Sequence, residues 1–290
     1  MSAKRILVLG GTCGIGRALK AKFGDRVVAT RRGKGPADWP RFDASTDEVA
    51  PLVERHGPFG HAIVLFGETN PEKCFRDPAG TRELNVVRTV RILDDLAKHG
   101  ISSVFTSTAN VFDGRKGSYG ESDPPNPETA YGRQKVEVER HMDGRPGSVV
   151  RLSRVVGTAP GDGTIFTSWL GEITAAKTIR VASDNRLSPI HVDDVAEGLV
   201  RVAEAGLGGI HHLANQGMGR LEMLEALLGA WKAAGRRFDG KIETCRFADF
   251  PTNEPRPLDS TMVLSPAIAA TGLRLLSVEE ICARVVRAAL

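Results

Sequence analysis

At 290 residues the chain is long enough for one large core, or for a core with a smaller satellite lobe. Its 41% hydrophobic and 26% charged residues are those of a soluble globular protein, and no apolar run nears the roughly 20 residues that cross a bilayer. The net charge of +4 is scattered, without a block of like charges, which argues against nucleic acid and suits an anionic small ligand.

The N-terminal stretch MSAKRILVLGG has an apolar segment of four residues before its glycines, too short for the core of a signal peptide. It reads as a strand, and the expected location is cytoplasmic. Short β-rich runs then alternate with helical patterns: RILVLGG, GRALKAKF, RVVAT, TDEVAPLVERH and HAIVLF. Alternation of this kind predicts a doubly wound α/β fold, a parallel sheet with helices on both faces. The pattern continues through a long helix at Arg82–His99, with Leu84, Val87, Val90, Ile92, Leu93 and Leu96 at helical recurrence, into a strand at Ser103–Ser107.

From Arg115 to Thr129 the chain is dense in Gly, Pro, Ser and Asn, and a long surface loop is expected. A helix follows over Ala130–Met142, stopped by Asp143-Gly144 with Pro146 beyond, and then a strand in SVVRLSRVV. After Gly157 the periodicity loosens. Residues 1–156 and 189–206 are expected to form the main α/β domain, and 157–188 with 207–290 a smaller, discontinuous one.

Between the first strand and first helix, LVLGGTCGIGRALK places Gly10, Gly14 and Gly16 where a tight turn, close ligand approach and helix packing each favour a residue without Cβ. The amides of Thr12, Cys13, Gly14 and Ile15 at that helix start would face a pyrophosphate. The second strand ends ATRR. A site selective for NAD would want an acidic residue there, whereas Arg31 and Arg32 suit a 2′-phosphate through forked, charge-assisted hydrogen bonds, so NADP is the expected cofactor.

Two more segments carry chemistry. TSTANVFDG at 106–114 brings a run of hydroxyls to a strand end, and AYGRQKVEVER places Tyr131 and Lys135 four apart on one helix face. A phenol ordinarily titrates near pH 10, and a neighbouring ammonium favours the phenolate, so Lys135 is expected to draw Tyr131 toward neutrality. A phenol so tuned exchanges a proton with a carbonyl or alcohol oxygen, and one of the hydroxyls would hold that oxygen. The four cysteines lack CxxC pairing and the histidines lack an HExxH spacing, so reduced thiols and no metal are expected. The start of a helix could lower the thiol pKa of Cys13.

These segments together resemble the extended branch of the short-chain dehydrogenase/reductase family, whose fold is of the Rossmann type. The resemblance runs through GGTCGIG, NPEKC before Asn85-Val86, STANVFDG, YGRQK, SPIHVDDVA, GIHHLANQG and RPLDS. It implies Thr108 as the catalytic hydroxyl, Tyr131 as acid/base and Lys135 on the nicotinamide ribose. It also implies that Thr106 and Ser107 line the strand end or touch cofactor, that Asn85 braces this region, that Leu65, Phe66 and Gly67 run under the adenosine ribose, and that Asp43 lies near adenine. Arg186 and Arg256 are implied for a substrate diphosphate, and the helix of Tyr131 for a homodimer contact.

Two departures stand out. The middle glycine of the usual GxxGxxG is Cys13, with Gly14 one place later, and Ala109-Asn110 replaces an Asp-Tyr pair that looks toward the substrate. The implied activity is NADPH-dependent reduction of a keto group, on a nucleotide-activated sugar. A same-fold epimerase and a non-catalytic NADP-binding regulatory subunit are the alternatives.

Overall fold

A computed structural model of the chain describes residues 4–290; the first three residues of the domain expected to begin at residue 1 lie outside that range. In chain order the elements are β1 (Ile6–Leu9), α1 (Gly14–Phe23), β2 (Val27–Ala29), α2 (Ala50–His56), β3 (His61–Val64), α3 (Pro71–Arg76), α4 (Pro78–Arg82), α5 (Thr89–Lys98), β4 (Ser102–Thr108), α6 (Ala130–Met142), β5 (Ser148–Leu152) and β6 (Arg154–Val156). They continue with α7 (Ile165–Thr174), β7 (Ile179–Ala182), β8 (Arg186–Leu187), β9 (Pro189–His191), α8 (Val192–Glu204), β10 (Gly209–Leu213), β11 (Met218–Gly219), α9 (Arg220–Ala233), β12 (Ile242–Cys245), α10 (Pro266–Ala270) and α11 (Val278–Ala289).

Six strands form one parallel sheet in the order β2–β1–β3–β4–β5–β10. Alternate residues of each strand point to opposite faces. Ile6, Val8, Ile63, Val104 and Val150 pack under α1 and α8, while Leu7, Leu9, Ala62, Val64, Phe105 and Val149 pack under α2, α5 and α6. Because both faces are covered, the strands read as apolar runs rather than alternating ones. Strand order reverses at β1, and the crevice beyond the carboxyl ends of β1 and β3 is where such sheets take ligands.

A second core gathers Val156, Phe166, Trp169, Ile173, Met223, Leu227, Trp231, Ile281 and Val285 from β6, α7, α9 and α11. The expected boundary at 207 comes too early. Gly209–Leu213 is the sixth strand of the central sheet, and Ile268 of α10 packs in the first core.

The long helix expected at Arg82–His99 is also modified. Between α4 and α5 the residues Glu83–Arg88 form a π-turn, and the extra residue rotates Val87 out to 42% exposure while Asn85 goes into the interior. Asn85 accepts a hydrogen bond from Glu68 N at 2.8 Å and donates to Glu68 O at 2.9 Å and to Gln134 Oε1 at 2.7 Å, tying the turn after β3 to α6.

Helix α6 reaches the sheet by close backbone contact. A Cβ at Gly132 would meet Asn110 O at 2.2 Å and Pro127 Cβ at 2.9 Å. Gly132→Ala is therefore expected to destabilise by about 1–3 kcal/mol, whereas Gly171→Ala, in α7 with no described atom beyond its chain neighbours and its own helix backbone within 4 Å of the added methyl, should stabilise by about 0.8–1 kcal/mol. Urea unfolding midpoints of the two variants check both signs.

Candidate functional site

At the carboxyl ends of the strands lies a cavity of about 1010 Å³, lined by the β1–α1 turn, Leu65, Thr106 to Thr108, Tyr131, Lys135, the 157–164 loop and His191 to Asp193. A second cavity of about 380 Å³ opens toward the smaller lobe and includes Asn110, Asn185, Phe247 and three arginines, Arg154, Arg220 and Arg256. The two share Thr69, Thr108, Tyr131, Leu152, Ser153 and Val155. Thr108 and Tyr131 thus stand at the junction, with one cavity on each side.

The first cavity has a glycine-built mouth. Gly10 has φ +89°, and a Cβ there would meet Phe66 N at 2.8 Å; at Gly16 it would meet Gly11 O at 2.3 Å. Gly14 differs, since the nearest atom to its added Cβ is Val192 Cγ2 at 3.9 Å, so what the absent side chain keeps open is the cavity itself. The left-handed residue of the turn is Gly10 and not Gly14, which is the first residue of α1. Cys13 caps that helix through Sγ, which accepts from Gly16 N at 3.4 Å. Desolvation raises its thiol pKa despite the helix start, contrary to the expected lowering. Across the cavity His191 is buried; its Nδ1 accepts from Asp193 N at 3.2 Å, and its Nε2 has no partner among the described residues.

This lining fits a dinucleotide: an open glycine turn at a helix start for the pyrophosphate, a buried donor without a partner, and a volume at the upper end for small-molecule sites. Of the residues named for the adenosine end, only Leu65 lines the cavity. Gly67 has φ +145° and abuts Asn85 Oδ1, which a Cβ would meet at 2.9 Å. Phe66 packs against the second face of the sheet.

Arg31 is held by its own loop, with Nε donating to Trp39 O at 3.2 Å and Nη1 to Gly33 O at 2.9 Å, which leaves Arg32 as the exposed guanidinium of the pair. Asp43 accepts from Ser45 Oγ at 2.6 Å and N at 3.1 Å, and these bonds hold its carboxyl below the usual range. Asn85, expected as a brace of this region and a cofactor neighbour, has its amide committed to Glu68 and Gln134.

On the reacting side, α6 is started by Thr129, whose side chain accepts from Gly132 N at 3.1 Å. Glu254 from the smaller lobe also accepts from Ala130 N, at 2.8 and 3.0 Å, placing a carboxylate at the helix N-terminus. Tyr131 and Lys135 are both buried. Lys135 Nζ donates to Thr106 O at 2.9 Å and sits 4.5 Å from the Phe105 ring centroid and 5.9 Å from that of Tyr131. The Thr108 hydroxyl accepts from Asn110 N at 3.2 Å. Thr106 Oγ1 donates to Val64 O at 2.8 Å, and Ser107 Oγ to Glu139 Oε1 at 2.5 Å, so both of these hydroxyls bond within the protein.

Burial reverses the expected tuning of the phenol. Desolvation pushes Tyr131 well above the ordinary phenol range, and the hydrogen bond of Thr108 offsets only part of that rise. Desolvation brings Lys135 down to about 8, against the opposing pull of Glu139. The group drawn toward neutrality is the ammonium, because taking either charged form out of water outweighs the attraction between groups that do not touch.

In the second cavity Arg186 is absent from the lining. Asn185 and Leu187 face the cavity, and strand alternation turns Arg186 away toward Asp259 at 3.7 Å. Arg256 is there, bonded to Glu72 at 3.0 Å, and its buried Nε has no partner among the described residues. Arg154 and Arg220 escaped the sequence reading, although that alternation, together with the arginine two residues past the strand ending in Leu152, was a signal. Arg220 donates to Asn185 Oδ1 and lies over the Phe247 ring at 4.9 Å. Its pKa falls to about 10 through desolvation, then repulsion from Arg154 and Arg256; Arg154 is lowered by desolvation and by Arg256. Among the described residues neither Arg154 nor Arg220 has a carboxylate partner. The cavity is a cationic recess of a kind that suits an anion.

Comparison with known proteins agrees with this geometry. The family model described as RmlD substrate binding domain matches residues 4–290. The probable low-salt glycan biosynthesis reductase Agl14 of Haloferax volcanii is 35% identical over 216 residues, covering 67% of this chain and 71% of its own. Methionine adenosyltransferase 2 subunit beta of Danio rerio is 28% identical over 243 residues, covering 79% and 74%. The crystal structure of dTDP-4-dehydrorhamnose reductase from Bacillus anthracis in complex with NADP superposes with a TM-score of 0.83 at 18% identity, over 97% of this chain and 98% of that one. A match over almost the whole chain, on a sheet with these two adjoining cavities, places the protein in the RmlD substrate-binding-domain family of extended NAD(P)-dependent short-chain reductases.

Proposed function

We propose that the chain reduces a keto group on a nucleotide-activated sugar, with NADPH as the hydride source. The observation that carries this reading is the junction: Thr108 and Tyr131 are shared by a dinucleotide-sized cavity and by a recess walled with Arg154, Arg220 and Arg256. A diphosphate is the anion that three converging guanidiniums suit, through forked charge-assisted hydrogen bonds. The reductase name of the Haloferax relative and the NADP bound to the Bacillus structure support the same reading.

Residues of the β1–α1 turn and Lys135 would hold the cofactor, which supplies hydride to the carbonyl carbon when bound. The exposed Arg32 favours NADP over NAD. Thr108 holds the carbonyl oxygen at the junction, and Tyr131 gives it a proton. A phenol raised by burial remains protonated across the neutral range, which suits it as the acid of a reduction. The phenolate that forms faces the Lys135 ammonium, so charge develops where a cation already stands.

A second reading, a non-catalytic NADP-binding regulatory subunit, has the likeness to the methionine adenosyltransferase subunit in its favour. NADPH oxidation with 4-keto sugar nucleotides separates the two: turnover by the wild-type chain sustains the enzyme, and NADPH binding without turnover on any of them sustains the regulator.

Tyr131→Phe is expected to lower kcat by about 10²–10⁴-fold while leaving NADPH binding in place, measured by steady-state rates and fluorescence titration. Because Lys135 must be charged and burial brings it down to about 8, the wild-type rate should hold below that pH and decline above it. Arg220→Ala should weaken binding of a nucleoside diphosphate by roughly 10–100-fold, as for a lost hydrogen bond to a charged group. Arg186→Ala, facing away, should change it little; calorimetry on both variants decides.

A further inference from the structure

One buried carboxylate lies outside the mechanism so far. Glu139 is 3% exposed on α6, one helical turn beyond Lys135. Its Oε1 accepts from Ser107 Oγ at 2.5 Å and from Arg151 Nε at 3.0 Å, and its Oε2 from Arg151 Nη2 at 2.7 Å. Arg151, 1% exposed on β5, donates its remaining Nη1 to His212 Nε2 at 3.2 Å and lies over the Phe112 ring at 5.0 Å. His212, held down to about 4 by desolvation and by Arg151, is neutral and donates from Nδ1 to Tyr119 O at 3.1 Å. The polar groups of this chain are mutually satisfied, and it ties α6, β4, β5, β10 and the 115–129 loop together.

Resting on the reading of Thr108, Tyr131 and Lys135 as the reacting centre, we propose that Glu139 is a positioning residue: it keeps Lys135 an ammonium and fastens the Thr108 strand end to the helix that carries Tyr131. The two roles come from one carboxylate. Ser107, the residue before Thr108, is the strand's attachment to it. The groups facing Lys135 are few: Tyr131 and Glu139 from its own helix, Cys74 from α3, and the Thr106 carbonyl and Phe105 ring from β4, with Arg151 of β5 behind Glu139. Tyr131 and Cys74 are neutral when protonated, and burial raises both. Glu139 is the standing negative charge in that set, and burial makes its field strong.

A merely structural ion pair would also lose stability on substitution, since Glu139→Gln leaves Arg151 buried without its counter-charge. The test therefore compares Glu139→Gln, Glu139→Asp and the double variant Glu139→Gln/Arg151→Met, each followed by thermal unfolding and by 13C NMR titration of Lys135 Cε, assigned with Lys135→Arg. The proposal expects the Lys135 midpoint to fall by about one pH unit in Glu139→Gln, the low end for loss of a nearby opposite charge, and to stay near the wild-type value in Glu139→Asp. In the double variant the melting temperature should recover while the Lys135 midpoint stays low, and the decline of kcat with pH should begin correspondingly earlier.

An unmoved midpoint, or one that recovers with stability in the double variant, overturns the proposal. So does failure of both Glu139→Gln chains to fold, which would make the pair structural. The titration needs no turnover, so absence of reductase activity in the wild-type chain would count against the proposed function and leave this result readable.

Discussion

Removing Tyr131 and Lys135 from water is the constraint around which the site is organised. An ammonium and a phenol are poor core residues, and each loses much of its charged form on burial. The surroundings compensate at short range. Thr106 offers its carbonyl to Lys135, the Phe105 ring lies under the ammonium, and Thr129 and Glu254 secure the first turn of the helix that bears both groups. Gly132 lets that helix lie against Asn110 with no side chain between them, so the strand end with Thr108 and the helix with Tyr131 meet at a backbone contact. Reactive groups set on a rigid helix and strand hold their geometry better than groups set on loops.

The smaller lobe is part of the same constraint. It supplies Glu254 to the α6 N-terminus and Arg256 to the second cavity, from positions two apart in one segment. Glu72 of α3 crosses to that segment, accepting from Asn253 N at 3.3 Å and from Arg256 Nη2 at 3.0 Å. The lobe that holds the anion recess is thus fastened to the helix that holds the acid. A displacement of one is felt at the other through two short contacts, and placement errors at a reacting centre are costly in rate.

Much of this was legible in the residues. Apolar runs alternating with helical patterns gave the parallel sheet, the spacing of Tyr131 and Lys135 predicted a shared helix face, and Ala130–Met142 begins and ends where its punctuation indicated. What escaped depended on tertiary context. The π-turn at Glu83–Arg88 keeps a helical composition while changing the period, so Val87 looked like core and is surface. Arg31 looked like a phosphate ligand because its loop partners, Trp39 and Gly33, accept through backbone carbonyls, which any sequence would offer. The direction of the Tyr131 shift depended on burial, and four-residue spacing on a helix says nothing of how far the partners stand from water. Arg186 faces away because of the side to which a two-residue strand turns it, and Arg220 lines the recess from the first residue of α9.

The cations on the two sides of the junction lead to a last consequence. Lys135 on one side is buried, and on the other Arg154 and Arg220 are lowered by desolvation and by the guanidiniums beside them. These like charges repel one another, which opposes folding; an anionic ligand in either cavity removes part of that repulsion and so stabilises the folded form beyond the contacts it makes. The same charges favour a ligand whose negative groups lie at a distance from its reacting carbon, because the residues shared by the two cavities, Thr69, Thr108, Tyr131, Leu152, Ser153 and Val155, carry no cationic side chain. A carbonyl compound with a remote diphosphate meets both demands: its charge anchors it in the arginine recess, and the neutral carbonyl is left to the alcohol and the phenol.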